Sequence, residues 1–262
     1  MKLEQVTEII CKEAVPLDWA EDWDNSGFMV GDMNWEILKI AVCLDIFPGI
    51  MQKAANENID LIVSHHPFFF TGMKSLDLSA PAGKVIQLAI ENRTAIMSLH
   101  TNWDNFSSGM NPVLAEKLGL KNIEPLCRKN GEIWGPGATG FTEVPISLED
   151  FTRTVSQKWD LSWCRSYGDK GMKIGKAALC GGSGGDLWKV AASEQIDVFV
   201  TADIKYHQII DAVDNGLAII VVDHGEMEIN SMEELGKLIQ KKTYLPVLYF
   251  DDLLLDDCQI LL

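Results

Sequence analysis

Positive charge is scarce in this chain. Against 38 aspartates and glutamates there are 22 lysines and arginines, a formal charge of -16 and a pI near 4.6. Binding to nucleic acid or anionic lipid draws on clustered cations and counterion release. General polyanion binding is therefore excluded, which leaves room only for a basic groove inside an acidic protein. Cysteine is sparse as well: Cys11, Cys43, Cys127, Cys164, Cys180 and Cys258 form no CxxC pair and no zinc-knuckle spacing. Free thiols in a reducing compartment are expected, with a functional isolated cysteine as the lesser alternative. No apolar run approaches the roughly 20 residues that span a bilayer. Met1 to Val6 lacks the apolar core of a signal peptide, so a cytoplasmic protein is expected, with no membrane partner. Hydrophobic residues make up 47% of the 262 residues, enough for a sizeable core.

Histidine is rarer still, at 5 residues, and its placement is the strongest signal present. Ser64-His65-His66-Pro67 follows the apolar run Ile59 to Val63, which reads as a short buried strand. Pro67 then prevents the ladder from continuing. Neighbouring side chains on a strand point to opposite faces, so adjacent histidines do not chelate one ion from a regular strand. At its last residues they can face two neighbouring ions. Taken alone, the pair reads as two partly exposed histidines at a strand end. The other three each have a carboxylate four positions away: His100 with Asp104, His207 with Asp203, and His224 with Glu228. Residues so spaced share a face in a helical turn. All three follow apolar strand-like runs, and together the histidines read as a mixed His/carboxylate metal site assembled from distant segments. For His207, a surface histidine on a helix beside Asp203 is a competing reading.

Helical spacing of Leu3, Val6, Ile9 and Ile10 opens the chain, and Pro16 stops it. Trp19 to Gly31 joins two tryptophans, an Asp24-Asn25 turn and a short apolar strand. It reads as aromatic packing around a polar turn, or as a source of groups that orient metal ligands. Strands are expected at 39–45, 59–63, 94–99, 176–180, 197–201, 217–222 and 247–250. Helices are expected at 49–58, 82–92, 111–118, 147–159, 187–194, from 202 onward, and at 231–241, with Ser147 capping its helix toward Asp150. The strand-helix-strand alternation predicts an α/β protein with parallel strands. His65, His66, His100 and Asp104 lie just past strand ends, where open α/β sheets place their ligands. Phe68-Phe69-Phe70 after Pro67 reads as a loop with aromatic packing and a candidate pocket lining. Glycines 131, 135, 137 and 140 mark turns and a candidate boundary between subdomains. Gly181-Gly182-Ser183-Gly184-Gly185-Asp186 matches neither a Walker loop nor the dinucleotide fingerprint. It reads as a tight strand-to-helix turn, with phosphate or nucleotide contact as a minority option.

The segments WDNSGFMVGD, SHHPFFF, HTNWDN, CGGSGGD, TADIKYHQ and a late His-x-x-x-Glu occur in this order between Trp23 and Glu228, within a likeness that runs from about residue 4 to the C-terminal helix. In this combination the chain resembles the NIF-three-like family of dinuclear metal-centre proteins, whose members are often named GTP cyclohydrolase 1 type 2. The resemblance implies that His65, His66, Asp104, His224 and Glu228 ligate two divalent ions, Glu228 shared or bridging, with His100 and His207 beside them. One departure stands out, because the family usually has glycine before its late histidine and this chain has Asp223. A register set on Gly225 would put Glu226 at the histidine position, whereas the distances to Gly216 and Leu235 favour His224 and Glu228. The implied architecture is two interleaved α/β subdomains facing each other across the metal site, residues 1–125 with 230–262 and residues 126–229. No inserted regulatory domain is expected, and the implied assembly is a ring-shaped homohexamer.

Imidazole and carboxylate without thiolate suit zinc, iron, manganese or nickel and do not choose among them. Two ions held about 3.5–4 Å apart acidify a shared water. The first expectation is therefore a metal-dependent hydrolase of a small, nucleotide-like molecule, with His207 or His100 moving protons. The family label would make the substrate GTP, opened at C8 of its imidazole ring, although no guanine-reading motif is visible. The second reading is a non-enzymatic metal-handling or protein-interaction module, after the transcription-factor partner for which the family is named. A third is a two-metal phosphoesterase or amidohydrolase.

Overall fold

The computed structural model describes residues 1–128 and 134–253, so Gly131 and Cys258 lie outside the described residues. Helix α1 (Leu3–Ile9) widens into a π turn over Ile10–Ala14 ahead of Pro16. There follow β1 (Gly27–Val30), β2 (Ile40–Cys43), α2 (Pro48–Asn56), β3 (Leu61–Ser64), α3 (Pro81–Asn92), β4 (Ala95–Ser98) and the short α4 (Thr101–Asn105). The middle of the chain forms α5 (Met110–Lys117), β5 (Lys121–Pro125), β6 (Ala138–Ser147), α6 (Leu148–Lys158), β7 (Cys164–Tyr167) and β8 (Lys173–Leu179). It continues through α7 (Trp188–Ser193), β9 (Val198–Thr201), α8 (Tyr206–Asp214), β10 (Ala218–Val222) and α9 (His224–Glu228). Helix α10 (Met232–Thr243) and β11 (Val247–Tyr249) close the described chain. No helix among the described residues is long and apolar enough to cross a membrane.

Two compact units result, one from Met1–Trp103 with the segment from Met232 on, the other Asp104–Ser231. The division falls inside α4, upstream of the glycine-rich stretch. Residues 104–125 pack with the second unit, where α5 lies against β5 and β6.

In the first unit the strand order is β1-β4-β3-β2-β11, with β1 antiparallel to β4 and the others parallel. Strands β2, β3 and β4 are buried at every position. An apolar strand with no wet face has to be covered on both sides, which is why helices flank this sheet. On one face α2 and α3 bring Ile50, Met51, Ala54, Val85 and Ala89 against Ala41, Cys43, Ile62 and Ile96. On the other, α10 approaches β2 closely enough that a Cβ on Gly236 would stand 3.0 Å from Val42 Cγ2.

The second unit has the order β5-β6-β8-β9-β10-β7, in which only β8, β9 and β10 run parallel. Trp188, Ala191, Ile209 and Ala212 of α7 and α8 cover Ala178, Phe199 and Ile219 of that parallel core. As expected, Ser147 caps α6, its hydroxyl accepting from the Asp150 amide at 3.1 Å. Gly119 ends α5 at φ +80°, the left-handed position that glycine supplies at low cost. One expectation needs correcting. The helix after β9 starts at Tyr206, not Ala202, because the Ala202 carbonyl takes the Ile204 amide at 2.9 Å and Lys205 is extended at ψ 146°. Asp203 and His207 thus do not share a helical turn.

Phe199 is fully buried at the centre of this parallel core. Phe199→Ala is expected to cost about 3–5 kcal/mol, the range for emptying a buried aromatic site. Urea unfolding followed by far-UV circular dichroism reads that loss.

Candidate metal centre

The parallel strands of the first unit end at one edge, and the polar residues follow directly. Asp45 comes after β2, His65 and His66 after β3, and His100 after β4. The strand geometry lapses at Ser64, so the alternation that would separate His65 from His66 no longer applies. Their ring centroids are 5.0 Å apart, and His100 stands 5.2 Å from His65 and 6.0 Å from His66. His65 is fully buried. Its ligating atom lies within 4.8 Å of one on His66 and of one on His100.

Each of these rings is oriented through Nδ1. His65 Nδ1 donates to the Leu99 carbonyl at 3.0 Å. His66 Nδ1 donates to Asp45 Oδ1 and His100 Nδ1 to Asp24 Oδ1, both at 2.7 Å. A carbonyl or carboxylate oxygen only accepts, so Nδ1 carries the proton and Nε2 the lone pair in each ring. Oxygen acceptors behind metal-ligating imidazoles play this part. Asp24 is itself held in place: its Oδ2 accepts from Thr101 Oγ1 at 2.6 Å, the Thr101 amide at 3.0 Å and Ser26 Oγ at 2.7 Å. Burial alone would raise its pKa, but the hydrogen bonds from His100, Thr101 and Ser26 win and hold it well below the usual carboxylate range.

The second unit repeats the plan, with the glycine turn after β8, Asp203 after β9 and His224 after β10. His224 Nδ1 meets Asp203 Oδ2 at 2.9 Å, and its Nε2 meets Glu228 Oε2 at 3.0 Å. A ring with carboxylates at both nitrogens requires a proton or a cation on each side. Glu228 is only 3% exposed. Burial raises the pKa of Asp203, yet hydrogen bonds from His224 and Ser183 leave it below its ordinary value. Gly182, at φ +57°, makes the space: a side chain there would collide with Glu228 Oε1 and come within 2.9 Å of His224 Nε2. Asn111, fully buried, ties the Gly181 amide (2.9 Å) to the Asp104 carbonyl (3.0 Å).

These donors fit a divalent cation. The imidazoles are preset by oxygen acceptors behind them, Glu228 adds carboxylate oxygens, and a glycine keeps the space before Glu228 and His224 open.

Residues 1–251 match the family description DUF34/NIF3 (NGG1p interacting factor 3). The chain belongs to the DUF34/NIF3 family. A relative named GTP cyclohydrolase 1 type 2 homolog from Campylobacter jejuni is 34% identical over 231 residues, covering 87% of this chain and 88% of that protein. One of the same name from Clostridium acetobutylicum is 27% identical over 242 residues, covering 92% and 90%. A Staphylococcus aureus hypothetical protein of known structure superposes with a TM-score of 0.93 at 26% identity, covering 100% of this chain and 99% of that one.

Within the DUF34/NIF3 frame, the sequence-predicted residues fall as follows. His65, His66 and His100 cluster in the first unit, His224 and Glu228 pair in the second, and Asp104 lies on α4 one turn past His100. His100 turns its Nδ1 to Asp24, an acceptor to which the four-residue spacing did not point. His207 stands exposed on the first turn of α8, its ring centroid 5.4 Å from that of Tyr206. Asp223, where the family usually has glycine, caps α9 by accepting from the Glu226 amide at 3.1 Å. Glu226 is occupied elsewhere, taking the Ser162 amide at 2.7 Å.

Asp45 and the pairing of Asp203 with His224 were missed by the sequence reading. A signal for Asp45 existed, since it follows its strand as His65 follows β3. The Asp203 pairing joins two strand ends 21 residues apart, beyond the reach of a helical spacing rule.

A carboxylate whose folded pKa lies below its unfolded value adds stability above the unfolded pKa, and that stability is lost as pH falls toward the folded one. Asp24→Asn should therefore lower the urea midpoint at pH 7 in the presence of chelator. It should also flatten the loss of stability that wild type shows below about pH 4, the ordinary carboxylate range.

Proposed function

We propose that this DUF34/NIF3 protein holds two divalent cations on His65, His66, Asp104, His224 and Glu228, and that it hydrolyses a small, nucleotide-like molecule. The observation that carries this reading is the shared arrangement at Nδ1. His65, His66, His100 and His224 each direct that nitrogen at an oxygen acceptor, the preparation an imidazole needs to offer Nε2 to a cation. The names of the Campylobacter and Clostridium relatives support the substrate class.

When bound, such cations acidify water and stabilise negative charge that develops on a substrate. The residues supply the rest. Asp24 holds His100 so that its Nε2 can accept a proton, and the adjacent carboxylate stabilises the imidazolium that results. His207, standing in solvent, is the second candidate for moving protons. Asp45 and Asp203 keep His66 and His224 in orientation. The family resemblance further supports a cytoplasmic homohexamer. A second reading, a protein-interaction module that carries metal without turnover, draws on the family description as an NGG1p interacting factor.

Elemental analysis of protein purified without chelator, followed by a GTP assay on the same sample, tests both readings. About two equivalents per chain with formate release supports the cyclohydrolase form of the proposal. Two metals without GTP turnover discards that substrate, and no metal after reconstitution overturns the site. Glu228→Gln should lower metal content sharply, while Glu226→Gln, whose carboxylate serves the Ser162 amide, should leave it near the wild-type value. The reverse result would move the late ligands by two residues.

A further inference from the structure

Beside His100 the first unit opens a cleft of about 780 Å³ between the Trp23 turn and the loop that follows Pro67, within the size range of small-molecule sites. Two aromatic rings stand at its mouth with much of their surface in water, Trp23 at 62% and Phe70 at 55% exposure. Both meet His100 edge-on, at centroid distances of 6.2 Å and interplanar angles of 77° and 82°, and lie 6.0 Å from each other. They are too close to clasp a ring between them, so it is their outer faces that remain open for stacking. The rings are held in place. Asp24, next to Trp23, is fixed by His100, Thr101 and Ser26, and Asn25 Nδ2 donates to the Phe69 carbonyl, tying the two loops together.

Charge adds a second, independent constraint. In a chain of net charge -16, the charged residues lining the cleft are Asp24 and Lys74. The side chain of Asp24 is buried and its oxygens are taken by hydrogen bonds, which leaves Lys74 as the charge offered to a ligand. We propose that this cleft is a subsite for a planar heteroaromatic ring with an anionic tail, Trp23 serving as the stacking platform and Lys74 as the counter-charge. The inference rests on the reading of His100 as part of the reaction site, and it adds the residues that select the substrate.

The test is equilibrium dialysis of metal-stripped full-length protein with guanosine, adenosine, GTP and inorganic triphosphate, which separates binding from turnover. Stacking on one aromatic ring corresponds to roughly 5- to 150-fold in affinity. Trp23→Ala should therefore weaken guanosine and GTP by about 10- to 100-fold, and Trp23→Phe should restore most of it. Lys74→Met should weaken GTP while leaving guanosine unchanged. Absence of saturable binding of nucleosides and GTP by wild type would overturn the proposal. So would unchanged nucleoside binding by Trp23→Ala, above all if that variant instead shifts the mass in solution, since the aromatic face would then be a contact between copies. Retained nucleoside binding without GTP turnover by the metal-loaded protein would refute the cyclohydrolase reading and leave the subsite standing.

Discussion

An imidazole presents one nitrogen to a cation in a fixed direction when the N–H of its other nitrogen donates a hydrogen bond to something that does not move. In this protein four histidines satisfy that condition through Leu99, Asp45, Asp24 and Asp203. Leu99, Asp45 and Asp203 follow parallel strands of the same sheets that position the rings, so for these sheet register sets ring orientation, while Asp24 comes from the turn ahead of β1 and is held by Thr101 and Ser26. A slip of one residue between β2 and β3 would carry Asp45 away from His66 and reverse the faces of both strands. Burial of β2, β3 and β4 on both sides penalises such a slip, and the apolar core is in this sense what aims the polar edge.

Much of the fold was legible because it rests on local patterns. Apolar runs such as Ala218–Val222 and Ile40–Cys43 admit one reading, a buried strand, and the intervening helices show their period plainly. Strands β5 and β7 escaped detection because Lys121–Pro125 and Cys164–Tyr167 are polar, partly exposed edges, stabilised by one neighbour each and not by their own propensity, and β6 escaped because Gly140, read as a turn, sits within it paired to Ala177. The early helix start assigned at Ala202 failed for a non-local reason. The Gly182 carbonyl holds the Ala202 and Asp203 amides, and the chain there turns so that the Ala202 carbonyl takes the Ile204 amide and not one four residues on.

The candidate site was legible in its residue types and less so in its pairings. Position relative to strand ends picked out His65, His66, His100 and His224. The helical spacing rule succeeded for His224 with Glu228 but misassigned Asp203, whose partner His224 lies far along the chain, and it gave no sign of Asp24 behind His100. Gly182 gave no sign of its role in sequence, because a glycine that leaves room for two side chains looks like one that merely turns the chain.

The first unit is interrupted in sequence, closing only when α10 and β11 return to β2. On the ribosome, residues 1–103 emerge with one edge of β2 unpaired and its α10 face bare, while the second unit is contiguous and complete before α10 is made. The order of synthesis therefore favours the second unit as the first to fold. Until β11 arrives, the open edge of β2 is the place where a nascent chain would recruit the wrong strand.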